Sequence, residues 1–358
     1  MTENILDKFL GDVSMKIVEA MEKIDANAKG ILFIADSDRK LIGAITDGDI
    51  RRWLIETGKL DTDISKIINY KPKYLSEKER FHAEEIMSRM KMTAMPVVDS
   101  TGKIKDIIFL DYNNGPVSLG RRKKLADTPV VIMAGGKGTR LYPYTKILPK
   151  PLIPVGEIPI AERIINQFCE FGCNDYYLIV NYKKNMIKAY FNESEHDYQV
   201  HYADEDRPLG TGGGLSLLRG QINKTFILSN CDILIEEDFN KIMKFHRDNG
   251  NRITMVCSLK NYRVPYGVVN LGESGSIESM EEKPTLSFFT NTGCYIAEPE
   301  VIDDIPDNTE MGFPDMIVKY KNEGKKVGVY PISEKSWLDM GQPDTYEDMS
   351  RRLTGNTL

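Results

Sequence analysis

Residues 130–152 read VVIMAGGKGTRLYPYTKILPKPL, and the fold turns on this stretch. Val130–Met133 is a short apolar, β-prone run, the pattern of a central parallel strand buried on both faces. Gly135, Gly136 and Gly138 follow at once. Lacking side chains, they let backbone N–H groups approach a polyphosphate, while Arg140 and Lys150 supply charge to neutralise it. Two common phosphate loops fail on spacing. No segment matches G-x-x-x-x-G-K-[ST], and Leu141 stands where a dinucleotide fingerprint beginning at Gly136 needs its third glycine. A phosphate grip of another kind is the simplest reading.

Downstream, strand patterns recur at YYLIVN (176–181), YQVHYA (198–203), TFILSN (225–230) and TMVCSL (254–259), with helical patterns such as 160–171 and 238–249 between them. This alternation predicts an α/β domain, Rossmann-like, with a mixed, mostly parallel sheet whose ligands gather at the carboxyl ends of the strands. Upstream, ILFIADSDRKLIGAITDGDIRRWL (31–54) and AMPVVDSTGKIKDIIFLDY (94–112) share one grammar of strand, turn, strand and exit, with a helical pattern at 81–90 before the second. They read as an internal repeat of roughly sixty residues in an α+β pair. Residues 112–128 are polar, carry Gly and Pro and show neither period, so the boundary is placed there. The resulting division is 1–120, in halves of about 1–62 and 63–120, a linker at 121–128, and a second domain over 129–358.

Composition narrows the function. A net charge of −6 and a pI near 5.5 argue against nucleic acid as a partner, which usually demands a basic face. The basic run Arg121–Lys124 reads as solvated linker. Five cysteines, at 169, 173, 231, 257 and 294, are too scattered for a disulfide framework, and the four histidines form no zinc-type grouping with them. No apolar run approaches a membrane span, and MTENILDKFLGD has no apolar core of a signal peptide, so a cytoplasmic protein is expected.

The opening stretch closely resembles the signature of sugar-1-phosphate nucleotidylyltransferases: an apolar strand, A-G-G-x-G-T-R-L over Ala134–Leu141, Pro-x-T at Pro143–Thr145, and P-K-P-L at Pro149–Leu152. The resemblance implies that Ala134, Gly135, Gly136, Gly138 and Thr139 bind the nucleotide, that Arg140 holds its phosphates, and that Lys150 neutralises charge at the reacting ones. Lys146 reads as a solvated lysine. RPLGTGGGL (207–215) resembles the base-recognition loop, with Leu209, Gly210, Thr211 and Gly213 as contacts, in a form closer to guanylyl- and some cytidylyltransferases than to the thymidylyl branch. Asp232 in LSNCDIL, where Cys231 replaces the family's glycine, and Asp339 in SWLDMGQPDTY match the two acids that hold Mg²⁺. Tyr266 with Gly267, Glu282 with Lys283, and Asn291 with Gly293 match sugar-phosphate positions.

The upstream pair resembles tandem CBS domains. Gly43, Ile45, Thr46 and Asp49 match G-x-h-T-x-x-D, whose hydroxyl and carboxylate would hold the ribose and phosphate of a regulatory nucleotide. Helix capping explains Thr46 and Asp49 equally well. In the second copy Asp106, Ile108, Phe109 and Tyr112 fill these places, so the polar grip is missing there. The order of CBS pair then transferase is most like the glucosamine-1-phosphate guanylyltransferases of bacterial legionaminic acid synthesis. That implies GTP and glucosamine 1-phosphate as substrates and a homo-oligomer held through the CBS domains. Alternatives are a mannose- or heptose-1-phosphate guanylyltransferase, a uridylyl or cytidylyl relative, and, in another class, a non-catalytic nucleotide sensor.

Overall fold

The computed structural model describes residues 6–27, 29–110, 124–193 and 195–354. The chain forms two compact units, one of Met1–Ser118 with Leu259–Phe289, the other of Leu119–Ser258 with Thr290–Leu358. Tyr112 and residues 121–123 of the expected linker lie outside the described residues.

The first unit is built twice on one plan. Strand β1 (Leu10–Gly11) pairs in parallel with β2 (Ile31–Ala35), which makes an antiparallel hairpin with β3 (Leu41–Thr46), and helix α1 (Ile17–Asn27) crosses between β1 and β2. Helix α2 (Asp47–Thr57) follows. Strand β4 (Leu75–Ser76), helix α3 (Ala83–Met90), β5 (Ala94–Val98) and β6 (Ile104–Phe109) repeat the layout. Register confirms the repeat. Ile31 faces Thr46 as Ala94 faces Phe109, and each hairpin shifts register at the same place, Ile34/Ala35 and Val97/Val98. Phe109 therefore stands at the Thr46 position.

The second unit is organised by a seven-stranded sheet whose strands lie in the order β11 (Gln199–Asp204), β10 (Asp175–Val180), β7 (Val130–Met133), β12 (Phe226–Asn230), β17 (Thr285–Ala297), β14 (Ile253–Arg263) and β18 (Val327–Ile332). In its interior, between β10 and β12, is β7 (Val130–Met133), wholly buried. Two short strands, β8 (Pro154–Val155) and β9 (Ile158–Pro159), form a separate ribbon that precedes the helix Ile160–Glu170. Strands β10 (Asp175–Val180), β11 (Gln199–Asp204) and β12 (Phe226–Asn230) extend the parallel part. Val130, Ile132, Tyr176, Leu178 and Val180 enter one apolar layer, and Val131, Met133, Tyr177 and Ile179 the other. This is the two-residue alternation of strands covered on both faces. Strand β13 (Ile233–Ile235) leaves the main sheet, and β14 (Ile253–Arg263) returns to it.

After β14 the chain makes an antiparallel ribbon, β15 (Gly267–Leu271) with β16 (Ile277–Glu282), before re-entering the sheet as β17 (Thr285–Ala297), antiparallel to β12. This excursion groups with the first unit rather than with the sheet on either side of it. Leu259, 3% exposed, and Phe289 belong to the apolar cluster of Ile17, Ile24, Leu32, Ile45 and Ile50. Finally β18 (Val327–Ile332) pairs in parallel with β14, and β19 (Trp337–Asp339) runs antiparallel to β13. Among the described residues no helix is long and apolar enough to cross a membrane.

Candidate active site

Register places the site at the carboxyl edge of the parallel strands. Met133 is level with Ile179 and Asn230, and Val180 with Asp204, so Ala134 and Cys231 emerge level with Val180 and Asp204, and Asn181 and Glu205 follow one residue beyond at the same edge. The Ala134 N–H still donates to the Ile179 carbonyl at 2.8 Å, and the glycine loop begins only after it. At Gly138, φ is +62°, and an added Cβ would lie 2.9 Å from Thr145 Cγ2 and 3.1 Å from Lys150 Cβ. Only glycine allows the loop to fold back this closely. The buried Thr145 hydroxyl donates to the Gly138 carbonyl at 2.9 Å, and Leu141 anchors the turn in the core while Thr139 and Arg140 stay exposed.

Lys150 reaches the end of β12 and pairs with Asp232 Oδ2, the two side chains being 12% and 11% exposed. The pairing of β13 with β19 brings in the second acid, because Ile233 stands opposite Asp339 and the Met340 N–H donates to the Asp232 carbonyl at 2.9 Å. Gly341 sits between them: a Cβ there would be 3.0 Å from Asp339 Oδ1 and 3.6 Å from Asp232 Oδ2. Burial works against the charge on Lys150, yet the carboxylate of Asp232, with that of Asp339, outweighs it and holds the pKa above its ordinary value. The Asp339 carboxyl is pushed up by burial and by Asp232, against the Gly341 N–H, Lys150 and Arg140. Burial pushes the Cys231 thiol up to about 12 despite Lys150, so it is a neutral packing group rather than a nucleophile. Among the described residues no group of three or more His, Cys, Asp and Glu side chains could hold a metal. Two hard carboxylates are nonetheless the protein's usual share of a Mg²⁺ site whose remaining ligands are water and substrate phosphate.

The second glycine segment is a one-turn helix, Gly210–Gly213, whose glycines answer to a neighbouring backbone. A Cβ at Gly210 would lie 2.5 Å from the Met311 carbonyl oxygen, at Gly213 2.0 Å from that of Thr309, and at Gly212 2.9 Å from the Gly312–Phe313 backbone. The Thr211 hydroxyl accepts the Phe313 N–H at 3.2 Å. Gly210 and Gly213, two of the expected base contacts, thus also pack closely on the backbone of 309–313.

Glu205 was not among the expected residues. It is 5% exposed, and its Oε1 accepts the Leu209 N–H at 3.2 Å. A Cβ on Gly135 would fall 2.4 Å from Oε2, and one on Gly214 2.8 Å from Oε1. The carboxylate is therefore wedged between the two glycine loops, and Oε2 has no hydrogen-bond donor among the described residues. Burial pushes its pKa up, with the Leu209 N–H opposing. Within ADEDRP nothing distinguishes it from Asp204 and Asp206. Only its position one residue past β11 hints at a role.

Asn291 is exposed at the surface of β17; its Oδ1 accepts the Gly293 N–H at 3.0 Å and its Nδ2 donates to the Tyr295 hydroxyl at 2.6 Å. Gly293, at φ +84°, lies against the Asn230 side chain, 2.4 Å from an added Cβ. Tyr266, Gly267, Glu282 and Lys283 meet at one end of the β15–β16 ribbon in the first unit, with Gly267 opposite Glu282 and the Lys283 N–H donating to the Tyr266 carbonyl at 3.3 Å. In the same unit Thr46 and Asp49 form a complete capping box at the start of α2. Asp49 Oδ2 accepts from the Thr46 N–H at 2.9 Å and its hydroxyl at 2.6 Å, and Oδ1 pairs with Arg52. The capping reading has its geometry.

Residues 129–356 match the nucleotidyl transferase family, and residues 12–56 match the CBS domain. The chain belongs to the nucleotidyl transferase family. Among relatives of this nucleotidyl transferase, a mannose-1-phosphate guanylyltransferase of Mycobacterium tuberculosis is 31% identical over 223 residues, covering 60% of this chain and 62% of that one. A UTP–glucose-1-phosphate uridylyltransferase of Synechocystis is 30% identical over 237 residues, covering 60% and 61%. The nucleotidyl transferase thus spans about three fifths of the length of these curated relatives. HddC from Yersinia pseudotuberculosis superposes with a TM-score of 0.51 over 63% of this chain and all of its own at 24% identity, and its complex with GMP-PN with a TM-score of 0.50. At that identity the likeness concerns the fold alone.

Proposed function

We propose that this nucleotidyl transferase is a Mg²⁺-dependent sugar-1-phosphate guanylyltransferase that converts GTP and a hexose 1-phosphate to a GDP-sugar and pyrophosphate. The observation that carries the reaction class is the meeting of Lys150, Asp232 and Asp339 beside a glycine loop at the carboxyl edge of a parallel sheet. A 1-phosphate oxygen of the sugar attacks the α-phosphorus, the α–β bridging bond breaks, and its electron pair leaves with pyrophosphate. The protein's share is alignment and charge stabilisation rather than covalent chemistry. Lys150 neutralises the phosphorus centre, Arg140 the departing phosphates, and the backbone from Gly135 to Thr139 cradles them. Asp232 and Asp339 would hold a divalent cation, which would offset the charge of the phosphates. Asp232→Asn is expected to lower kcat on the order of 10²- to 10³-fold with the fold intact. Near-normal turnover of the folded variant at saturating Mg²⁺ would contradict the assignment.

The guanine reading rests on Glu205. A carboxylate presents two acceptors side by side, and of the common bases only guanine offers two adjacent donors, N1–H and N2–H, to match them. Uracil, cytosine and adenine each set an acceptor against one of its oxygens, leaving a buried polar group unpaired. For the sugar, the order of CBS domain before transferase supports glucosamine 1-phosphate, with Asn291 and Gly293 as contacts in the second unit. The likeness to mannose-1-phosphate guanylyltransferases at 31–32% identity favours mannose 1-phosphate as the second reading.

A further inference from the structure

We propose that Lys183 is a positioning residue for nucleotidyl transfer: its ammonium holds the carbonyls of Lys146 and Ile147 and thereby fixes the segment that delivers Lys150 to Asp232. The Nζ lies 2.5 Å from the Lys146 oxygen and 2.7 Å from the Ile147 oxygen. Those carbonyls end a helix of only four residues, Tyr144–Ile147, far too short to sustain itself, and its last carbonyls have no intrahelical donor. A cation at a helix C-terminus satisfies them and complements the dipole. Beyond Ile147 the chain is extended through Leu148 and Pro149 to Lys150, so a shift at the helix end passes directly to the ammonium beside Asp232.

Three further observations mark the grip as built. Lys183 has φ +52°, a left-handed backbone that lysine rarely adopts and that persists only where its surroundings over-determine it. Its neighbours aim at the same loop: the Tyr182 N–H donates to the Gly135 carbonyl at 3.4 Å, and the Tyr182 hydroxyl to the Thr145 carbonyl at 3.3 Å. Asn181 Nδ2 donates to the Glu205 carbonyl at 2.9 Å, tying the same turn to β11's exit. Residues 181–183 thus fasten both limbs of the glycine loop to the end of β10. Lys183 is spent on backbone carbonyls rather than on phosphate.

The inference rests on Lys150 acting in the transfer reaction proposed above, and the test separates the two. Full-length wild type, Lys183→Met, Lys183→Gly and Lys183→Arg are assayed for pyrophosphate release at saturating Mg²⁺, alone and combined with Lys150→Ala. Lys183→Met is expected to lower kcat about tenfold, the scale on which a sub-ångström misplacement is felt, with KM for both substrates changing less than about twofold. Lys183→Gly, which also relieves the left-handed backbone, should lose as much, so backbone strain and the ammonium are told apart even if the Met variant folds poorly. Lys183→Arg should recover most of the rate. In the Lys150→Ala background the Met substitution should have no further effect, as expected of residues acting through one contact. An unchanged kcat in the Met and Gly variants, or the same fractional loss with and without Lys150, overturns the inference. A wild type that releases no pyrophosphate from any donor instead overturns the function it rests on.

Discussion

Replacing Lys150 by methionine keeps most of the length of the side chain and removes its charge, leaving Asp232 and Asp339 facing each other around Gly341. Losing one partner of a buried ion pair costs about 3–5 kcal/mol, because the remaining charge stays desolvated. Both side chains retain roughly a tenth of their exposure, so the lower end applies, about 3 kcal/mol. In a domain of this size each kcal/mol moves the midpoint by about 2–4 °C, giving a fall of about 6–12 °C for the metal-free protein. Mg²⁺ should then reverse the trend. A ligand that binds only the folded state stabilises in proportion to its affinity, and two carboxylates no longer sharing an ammonium attract the cation more strongly. Calorimetric melts of both proteins with and without MgCl₂ should show a larger Mg²⁺-dependent rise in Tm for the variant than for wild type. Turnover should meanwhile drop on the order of 10²- to 10³-fold. A metal-free Tm within a degree of wild type, together with an equal Mg²⁺ shift, would refute the electrostatic account of this cluster.

Burial raises the Glu205 pKa, so in wild type a falling pH protonates it, converts an acceptor to a donor, and raises KM for GTP while kcat holds. Glu205→Gln should show a high, pH-independent KM and lose the preference for GTP over ITP, which lacks the 2-amino group; a retained preference and an unchanged KM profile would remove Glu205 from base recognition. In the first unit, Asp49→Ala breaks the capping box and should cost about 1 kcal/mol of stability in denaturant titrations. Calorimetry of the full chain with AMP, ATP and GTP then decides whether Thr46 and Asp49 also hold a nucleotide: binding that weakens in the Asp49 variant supports it, and binding indifferent to Asp49 leaves them as a cap.

The parts of this protein that were legible in its sequence are those whose physics is local. Val130–Met133 and the glycines after it declare a central strand and a tight loop within a few residues, and register then carries Ala134, Asn181 and Cys231 to one sheet edge without further information. Asp232 and Asp339 could be proposed separately, but only the β13–β19 pairing makes them neighbours. The packing of Gly210, Gly212 and Gly213 was not legible because the backbone they accommodate, 309–313, lies far along the chain. Glu205 was invisible among three acids for the same reason: its meaning comes from burial between two loops that the sequence does not juxtapose. Leu259 reads as an ordinary strand residue, yet with Phe289 it completes the apolar cluster of the first unit. The capping geometry of Thr46 and Asp49 was readable from spacing alone, which is why it competed on equal terms with ribose binding.

The central claim is guanylyl transfer to a hexose 1-phosphate, and pyrophosphate release measured over a matrix of donors and acceptors tests it most directly. GTP, UTP, CTP, dTTP and ATP are each paired with glucosamine, mannose, glucose and heptose 1-phosphates at fixed Mg²⁺. The account predicts the highest kcat/KM for GTP with glucosamine or mannose 1-phosphate. A higher kcat/KM for another nucleotide with every acceptor, or no pyrophosphate from any pair, would contradict it.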